Sequence, residues 1–161
     1  PPLLNETIGM KPGTITNTFT TVMDILPTVL DLAGINLPGT TFHGREVAPV
    51  RGHSWRPLLE SKVDVDIYHA DVVGWEQLGI AAVRVGNWKA LFLPPPRGQG
   101  KWELYDLSRD LGEVDDLAER MPEKLAEMIA HYERYFQESG MFDSYSVFQE
   151  ELKKKGVERA W

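Results

Sequence analysis

Cysteine is absent from the 161 residues of the chain. Its absence excludes disulfide bonds, thiolate metal sites and cysteine nucleophiles within these residues. Basic residues are also scarce, because 17 Lys and Arg stand against 24 Asp and Glu, for a net charge of -7. Binding to nucleic acid or to an anionic membrane needs a basic stripe, so we expect neither as a partner. No apolar run approaches the roughly 18 residues of a membrane span.

The chain otherwise has the composition of an ordinary globular domain. Hydrophobic residues make up 42% and charged residues 25%, and the length is sufficient to bury a core. The sequence opens with the apolar, proline-rich stretch Pro1-Pro2-Leu3-Leu4, which no charged leader segment precedes. We therefore expect it to be a segment of a larger protein.

One strong helical pattern lies in the first half of the chain. It predicts a helix that begins near Pro27, after a tighter turn at Asp24, and that ends at Gly34. Before this helix we expect a loop with a short strand from Gly13 to Phe19. The apolar residues that carry the helical spacing are Val22, Ile25, Leu26, Val29, Leu30 and Ala33.

The segment that follows this helix is rich in turn-forming residues. Residues 35–53 have no periodic pattern, which predicts an irregular surface crossing. Ser54 stands where it can cap a short helix from Trp55 to Leu59. Residues 62–71 alternate acidic and apolar side chains and predict a loop that enters a strand.

The second half of the chain predicts a sheet and a long helix. Four runs rich in β-branched and aromatic residues predict an antiparallel sheet with a hairpin turn at Gly86-Asn87. A helix that starts at Pro122 and ends at Gly140 presents an apolar face that we expect to pack on the sheet. The strand runs are Trp75–Leu78, Ile80–Val85, Trp88–Leu93 and Trp102–Leu107, and the helix face consists of Leu125, Met128, Ile129, Tyr132 and Phe136.

This pattern predicts an α+β fold, a small sheet of about four strands packed with a C-terminal helix. Between the sheet and the long helix, residues 108–120 predict an acidic, loosely helical turn. The tail over residues 141–161 has too few apolar positions to define its structure, although a further helix can form there.

One cluster of side chains has the chemistry of a metal site. Three carboxylates and an imidazole fall within eight residues at Asp64, Asp66, His69 and Asp71. Their spacing matches no EF-hand or zinc-protease pattern, and acids that alternate with apolar residues are typical of a half-exposed strand edge. We therefore expect no metal site.

The other polar and aromatic candidates have plain structural explanations. Ser54 lies beside His53, but helix capping accounts for it, and the phosphate-binding loop, dinucleotide and serine-hydrolase motifs are absent. His43 and His131 fit surface positions. The tryptophans Trp75, Trp88 and Trp102 can stack on a flat ligand or pair across strands, and Lys89 can bind an anion or be solvated. We assign no catalytic, cofactor-binding or metal-binding residue.

Four stretches together resemble the C-terminal portion of a bacterial arylsulfatase. They are VMDILPTVLDLAGINLPG, RGHSWRPLL, AVRVGNWKALFL and WELYDLSRDLGEVDDLAERMPEKLAEMI, in this order. The Asp-x-x-Pro-Thr helix and the Leu-Tyr-Asp-Leu segment are the specific parts. The resemblance covers Thr18 to Gly140, with Leu111 where the family usually has Pro and Asp116 where Asn is common.

The resemblance implies a parent protein of the alkaline-phosphatase superfamily with an α/β catalytic domain. Residues 1–61 would be the tail of that domain, including one of its helices, residues 62–140 a C-terminal subdomain, and residues 141–161 a tail. Such sulfatases use calcium and a formylglycine made in a Cys/Ser-x-Pro-x-Arg motif. The nearest match here, Ser54-Trp55-Arg56-Pro57, has its proline one place too late. The implied partners are the upstream catalytic portion and a small aryl or alkyl sulfate ester.

Three functions remain open at this point. The first is a non-catalytic segment of an arylsulfatase-type hydrolase that completes the fold and part of the cleft rim. The second is the same segment of a related phosphonate monoester hydrolase or phosphodiesterase, which only upstream residues distinguish. The third is an independent interaction domain, which an exposed apolar face on the helix over residues 22–33 would oppose.

Overall fold

A computed structural model describes residues 13, 15–37, 39–60, 71–141, 150 and 153–154. The chain divides into two compact units, Pro1–His69 and Ala70–Trp161. None of the described helices has both the length and the apolar character that a membrane crossing requires.

The main helix of the first unit forms as its sequence predicts. A 3-10 turn over Val22–Asp24 leads into helix α1, Ile25–Leu32. Pro27 lies in the first turn, where a missing backbone N–H costs nothing. Gly34 follows the helix with φ 70°, and its N–H donates to the Asp31 carbonyl, which is the left-handed cap expected of glycine.

The rest of the first unit departs from expectation in two places. Strands β1, Thr41–Phe42, and β2, Arg45–Glu46, form a small hairpin within the stretch expected to be irregular. Its turn holds His43 at φ 49° and Gly44 at φ 74°, and His-Gly is a weaker hairpin signal than Asn-Gly. Helix α2, Arg56–Glu60, follows, starting one residue later than predicted.

The strand expected from Gly13 to Phe19 is also wrong for the residues described there, 13 and 15–19. The hydroxyl of Thr16 accepts the Thr18 N–H at 3.1 Å. Such local side-chain bonds compete with strand pairing.

The second unit contains the four-stranded antiparallel sheet. Its strands are β3, Val72–Gln77, β4, Ile80–Val85, β5, Trp88–Phe92, and β6, Trp102–Asp106, in that spatial order. Each pairs with the next along the chain, and Val83, Ala90 and Leu104 lie side by side on strands β4, β5 and β6. Gly86 has φ 58° in the hairpin turn, as predicted for Gly86-Asn87.

Helix α3, Pro122–Glu138, packs on one face of this sheet and contacts all four strands. Met128 is fully buried and anchors the core, with Leu125 and Tyr132 packed against it. The buried core cluster is Val83, Ala90, Leu104, Ala118 and Met128. The predicted α+β layer is therefore confirmed, although Ile129 is only half-buried and lies outside that cluster.

The segment between β6 and α3 consists of turns, so the expected loosely helical structure of residues 108–120 is wrong. Asp110 Oδ2 accepts the N–H groups of Val114 and Asp115, both at 2.8 Å, and Glu113 has φ 55°. These bonds replace those that a helix would make. Asp116 Oδ1 accepts the Leu104 and Ala118 N–H groups at 2.9 Å, which an Asn carbonyl at this position could also do.

Two other expectations concern residues that are mostly outside the described part. Of the loop expected over residues 62–71, only Asp71 is described. In the tail, Glu150, Lys153 and Lys154 are helical, and most other tail residues are outside the description.

Candidate functional site

A buried carboxylate organises the first unit. Asp24 is fully buried, and its side chain accepts hydrogen bonds from three donors within the described residues. The donors are the Thr21 N–H at 2.7 Å, the His53 N–H at 3.0 Å and the Trp55 indole N–H at 3.1 Å. A buried carboxylate is stable only with such compensation, so the Asp24 side chain fixes the 52–56 segment against α1.

Thr28 completes this Asp24 network, which we define as Asp24, Thr28, His53 and Trp55. The Thr28 hydroxyl donates to the Asp24 carbonyl at 2.6 Å and accepts the Trp55 N–H at 2.9 Å. Gly52 lies so close to the helix start that a Cβ there would stand 2.1 Å from the Met23 carbonyl oxygen. Glycine is therefore required where the two segments meet.

Ser54, the one hydroxyl considered as a nucleophile, is held by structural contacts. Its Oγ donates to Asp31 Oδ2 at 2.6 Å and accepts the Arg56 N–H at 3.1 Å, which confirms the capping role. The Ser54 hydroxyl, and then the Arg56 guanidinium, hold the pKa of Asp31 below its usual value. The Ser54 hydroxyl is thus part of a local network with Asp31 and Arg56.

In the second unit, Lys89 forms an ion pair instead of being solvated or free for an anion. Its Nζ lies 2.6 and 2.8 Å from the two carboxylate oxygens of Glu113, and both side chains are about three-quarters buried. Burial, and then the hydrogen bond that Tyr105 donates to Glu103 at 2.8 Å, raises the pKa of this phenol. Tyr105 therefore stays protonated at neutral pH.

The tryptophans divide between core and surface. Trp88 and Trp102 pack against the buried core, and Trp102 meets Tyr132 edge to face with ring centroids 5.1 Å apart. The Lys124 ammonium lies 5.5 Å from the Trp88 ring centroid. Trp75 is 42% exposed, so it alone among the three keeps a large area open to a ligand.

An open cleft of about 400 Å³ lies beside the turns that precede α3. Its carboxylates are engaged locally: Asp106 accepts from Ser108, Asp110 closes its own turn, and Asp115 pairs with Arg120. Ser108 and Arg120 respectively lower the pKa values of Asp106 and Asp115. The lining residues are Trp88, Asp106, Arg109, Asp110, Asp115, Leu117, Arg120 and Met121, which include no serine, threonine or histidine.

The three histidines among the described residues lie in different surroundings. His43 occupies the exposed β1–β2 turn against the Phe42 ring, and His53 contributes its backbone N–H to Asp24. His131 lies on α3 with its Nε2 3.9 Å from Glu127.

The residues present do not fit the two groups that the resemblance implies. Among the described residues, no three His, Asp or Glu side chains converge as metal ligands, and the Ser54 hydroxyl is engaged by Asp31 and Arg56. The chain therefore offers neither a calcium site nor a formylglycine precursor in its described part. Asp64, Asp66 and His69 lie outside that part, so the absence of a metal site there stays a prediction.

The architecture recurs in solved structures. A crystal structure of Ps i-CgsB matches 73% of this chain and 24% of its own, with a TM-score of 0.56 and 21% identity. A crystal structure of Ps i-CgsB in complex with k-i-k-neocarrahexaose matches 70% of this chain and 23% of its own, with a TM-score of 0.53 and 22% identity. At these identities the likeness defines the fold, a small antiparallel sheet packed with a C-terminal helix.

Sequence comparison identifies a similar protein. No family model matches the chain. An uncharacterized sulfatase of Schizosaccharomyces pombe, PB10D8.02c, is 42% identical over 143 residues, which is 88% of this chain and 24% of that protein. The resemblance to the C-terminal portion of a sulfatase is thereby confirmed, and the chain spans about a quarter of the relatives it matches.

The structure also reveals two groups of polar contacts that the sequence did not predict. Neither the Asp24 network nor the Lys89–Glu113 ion pair was expected. The sequence contained a signal for the Asp24 network, because the Asp-x-x-Pro-Thr and Gly-His-Ser-Trp stretches both belong to the pattern that resembles sulfatases. The structure shows that these two stretches are hydrogen-bonded to each other.

Proposed function

We propose that the chain is a non-catalytic segment of an arylsulfatase-type sulfuric ester hydrolase, where it completes the fold and forms part of the substrate-cleft rim. The observation that carries this proposal is the 42% identity to a sulfatase of which the chain spans only 24%. The residues that cleave the ester would then lie in the part of the enzyme upstream of this segment.

The state of the polar side chains supports a structural role. Ser54, Asp31 and Lys89 all have close partners within the chain. Hydrolysis of a sulfate ester needs an activated nucleophile, neutralisation of the sulfuryl oxygens and a general acid. Formylglycine and calcium would therefore come from the upstream catalytic portion, which is the principal partner of this segment.

The complete gene and its product test the proposal. The gene should encode a Cys/Ser-x-Pro-x-Arg motif upstream of these residues. The complete polypeptide, with that position matured to formylglycine, should hydrolyse 4-nitrophenyl sulfate faster than a 4-nitrophenyl phosphonate monoester. The opposite preference would favour a phosphonate monoester hydrolase of the same superfamily.

The isolated chain provides the second test. The 161 residues alone should show no turnover of 4-nitrophenyl sulfate above buffer, with or without calcium. Ser54→Ala should change nothing, and neither should Ser108→Ala, a matched change at another hydrogen-bonded serine. If the isolated chain hydrolyses the ester and only Ser54→Ala abolishes the reaction, an active site lies within these residues and the proposal is wrong.

A further inference from the structure

The amphipathic character of α1 is inverted relative to that of an ordinary surface helix. Its buried positions include Pro27, together with Asp24 at its start and Thr28, and the last two are hydrogen-bonded to the chain's own 52–56 segment. Its apolar residues point the other way, and Leu26 and Val29 are 53% and 57% exposed. A surface helix normally buries the apolar stripe and exposes the polar one.

The exposed apolar residues form one continuous stretch of chain. We name them the α1 apolar surface, and they are Val22, Met23, Ile25, Leu26, Val29, Leu32, Ile35 and Leu37. All are more than two-fifths exposed. Contiguous apolar surface on a folded protein marks an interaction site, so something outside the described contacts must cover it.

The charges around this surface restrict what can cover it. Residues 22–37 contain no Lys or Arg, and a helix that lies on an anionic membrane needs basic residues beside its apolar side. The two acidic residues of this stretch are engaged on the side of the 52–56 segment: Asp24 is buried, and Asp31 is bound to Ser54 and Arg56. The surface is therefore uncharged and suits an apolar protein partner.

We propose that the α1 apolar surface is the docking surface for the remaining part of the same polypeptide. This inference rests on the proposed function, because a 42%-identical relative is about four times as long as the matched stretch. A segment on the same chain has a high effective concentration and outcompetes a free partner of equal affinity. The Asp24 network keeps α1 in position from its inner side while the outer side receives this partner.

Substitutions on the surface should have opposite effects in the two forms of the protein. The double change Leu26→Lys and Val29→Lys should increase the soluble yield of the isolated 161-residue chain and reduce its binding of a hydrophobic dye. In the complete polypeptide the same pair would bury two unpaired charges and lower Tm by about 5 °C or more. Leu111→Lys, at an 83% exposed position in the second unit, is the matched control and should leave that Tm unchanged.

The outcome separates this inference from the proposed function. If the lysine pair leaves the Tm of the complete polypeptide unchanged, the surface is not covered by it and the inference is wrong. An isolated chain that dimerises or binds vesicles of anionic lipid through these residues, with no Tm change in the complete polypeptide, overturns it equally. If the complete polypeptide lacks sulfatase activity but the lysine pair lowers its Tm and raises the soluble yield of the isolated chain, only the proposed function is refuted.

Discussion

Asp24 Oδ1 accepts the backbone N–H of His53 at 3.0 Å, although 29 residues separate the two in sequence. This bond joins the helix that carries Asp-x-x-Pro-Thr to the segment that carries Gly-His-Ser-Trp. These two stretches, which both belong to the pattern that resembles sulfatases, therefore form one hydrogen-bond network, and the role of that network is structural.

Removal of the Asp24 carboxylate should destabilise the first unit strongly. Asp24→Ala leaves three N–H donors without an acceptor, and we expect a loss on the order of 3 kcal/mol of unfolding free energy. Urea unfolding followed by tryptophan fluorescence measures this loss. Asp31→Ala, which removes a 38% exposed carboxylate, is the control and should cost much less. Equal losses would show that the Asp24 network does not hold the unit together.

Gly52 should not tolerate a side chain. Gly52→Ala places a methyl group against the Met23 carbonyl, and separation of the two segments should cost about 1 to 3 kcal/mol. Gly39→Ala is the matched control, because an added Cβ there meets nothing within 4 Å. Thermal unfolding of both variants tests the close approach, and a Gly52→Ala protein as stable as the control would contradict it.

The sheet in the second unit should depend on Met128. Met128→Ala empties a fully buried position between α3 and the strands and should cost about 2 to 5 kcal/mol. Ile129→Ala, at the half-buried neighbouring position, should cost less. Denaturant unfolding measures both losses of stability. A larger loss for Ile129→Ala than for Met128→Ala would mean that another side of α3 faces the sheet.

The Ser54 hydroxyl should control the protonation of Asp31. The folded pKa of Asp31 lies below its ordinary value of 3.8, so its contribution to stability is present above that pH. The contribution is lost as pH falls through the folded pKa. Ser54→Ala should raise the Asp31 pKa, so the contribution to stability should be lost at a higher pH. An NMR titration of the carboxyl carbon measures this change in pKa.

A second serine supplies the control for that titration. Ser108→Ala should raise the pKa of Asp106, whose lowered value depends mainly on the Ser108 hydroxyl, and leave Asp31 unchanged. If Asp31 responds equally to both substitutions, the cause of its low pKa is not the Ser54 bond.

Trp75 tests the proposed contribution to the cleft rim. In the complete enzyme, Trp75→Ala should raise KM for an aryl sulfate more than it lowers kcat, because only ground-state binding is lost. Trp102→Ala removes a ring packed against the core and should instead lower stability. Steady-state kinetics give the answer, and an unchanged KM would assign Trp75 to sheet packing alone.

The sheet was predictable because its signals are local. Strand β4 matches its predicted limits, and the other strand limits differ by a few residues at most. Val, Trp and Leu runs, together with the Gly86-Asn87 turn, encode this structure within neighbouring residues. The β1–β2 hairpin was missed because its turn depends on His43 in a left-handed conformation, which a non-glycine residue adopts rarely.

The polar contacts were less predictable because they join distant positions. The pattern over residues 108–120 predicts a loosely helical turn, since periodicity does not reveal a carboxylate that accepts backbone N–H groups from Val114 and Asp115. The Lys89–Glu113 pair spans 24 residues and depends on the fold of the second unit. By contrast, the Ser54 cap is a local interaction, and its prediction is confirmed.

The sequence distances in the Asp24 network also order the events of protein synthesis. The Trp55 indole lies 31 residues after Asp24, so the inner contacts of α1 cannot be completed until the ribosome has released Trp55. Any polypeptide made earlier has emerged by then, and folding during synthesis begins at the N-terminus. Helix α1 can therefore first contact the polypeptide that covers the α1 apolar surface. Residues 52–56 then form the Asp24 network on the other side of the helix.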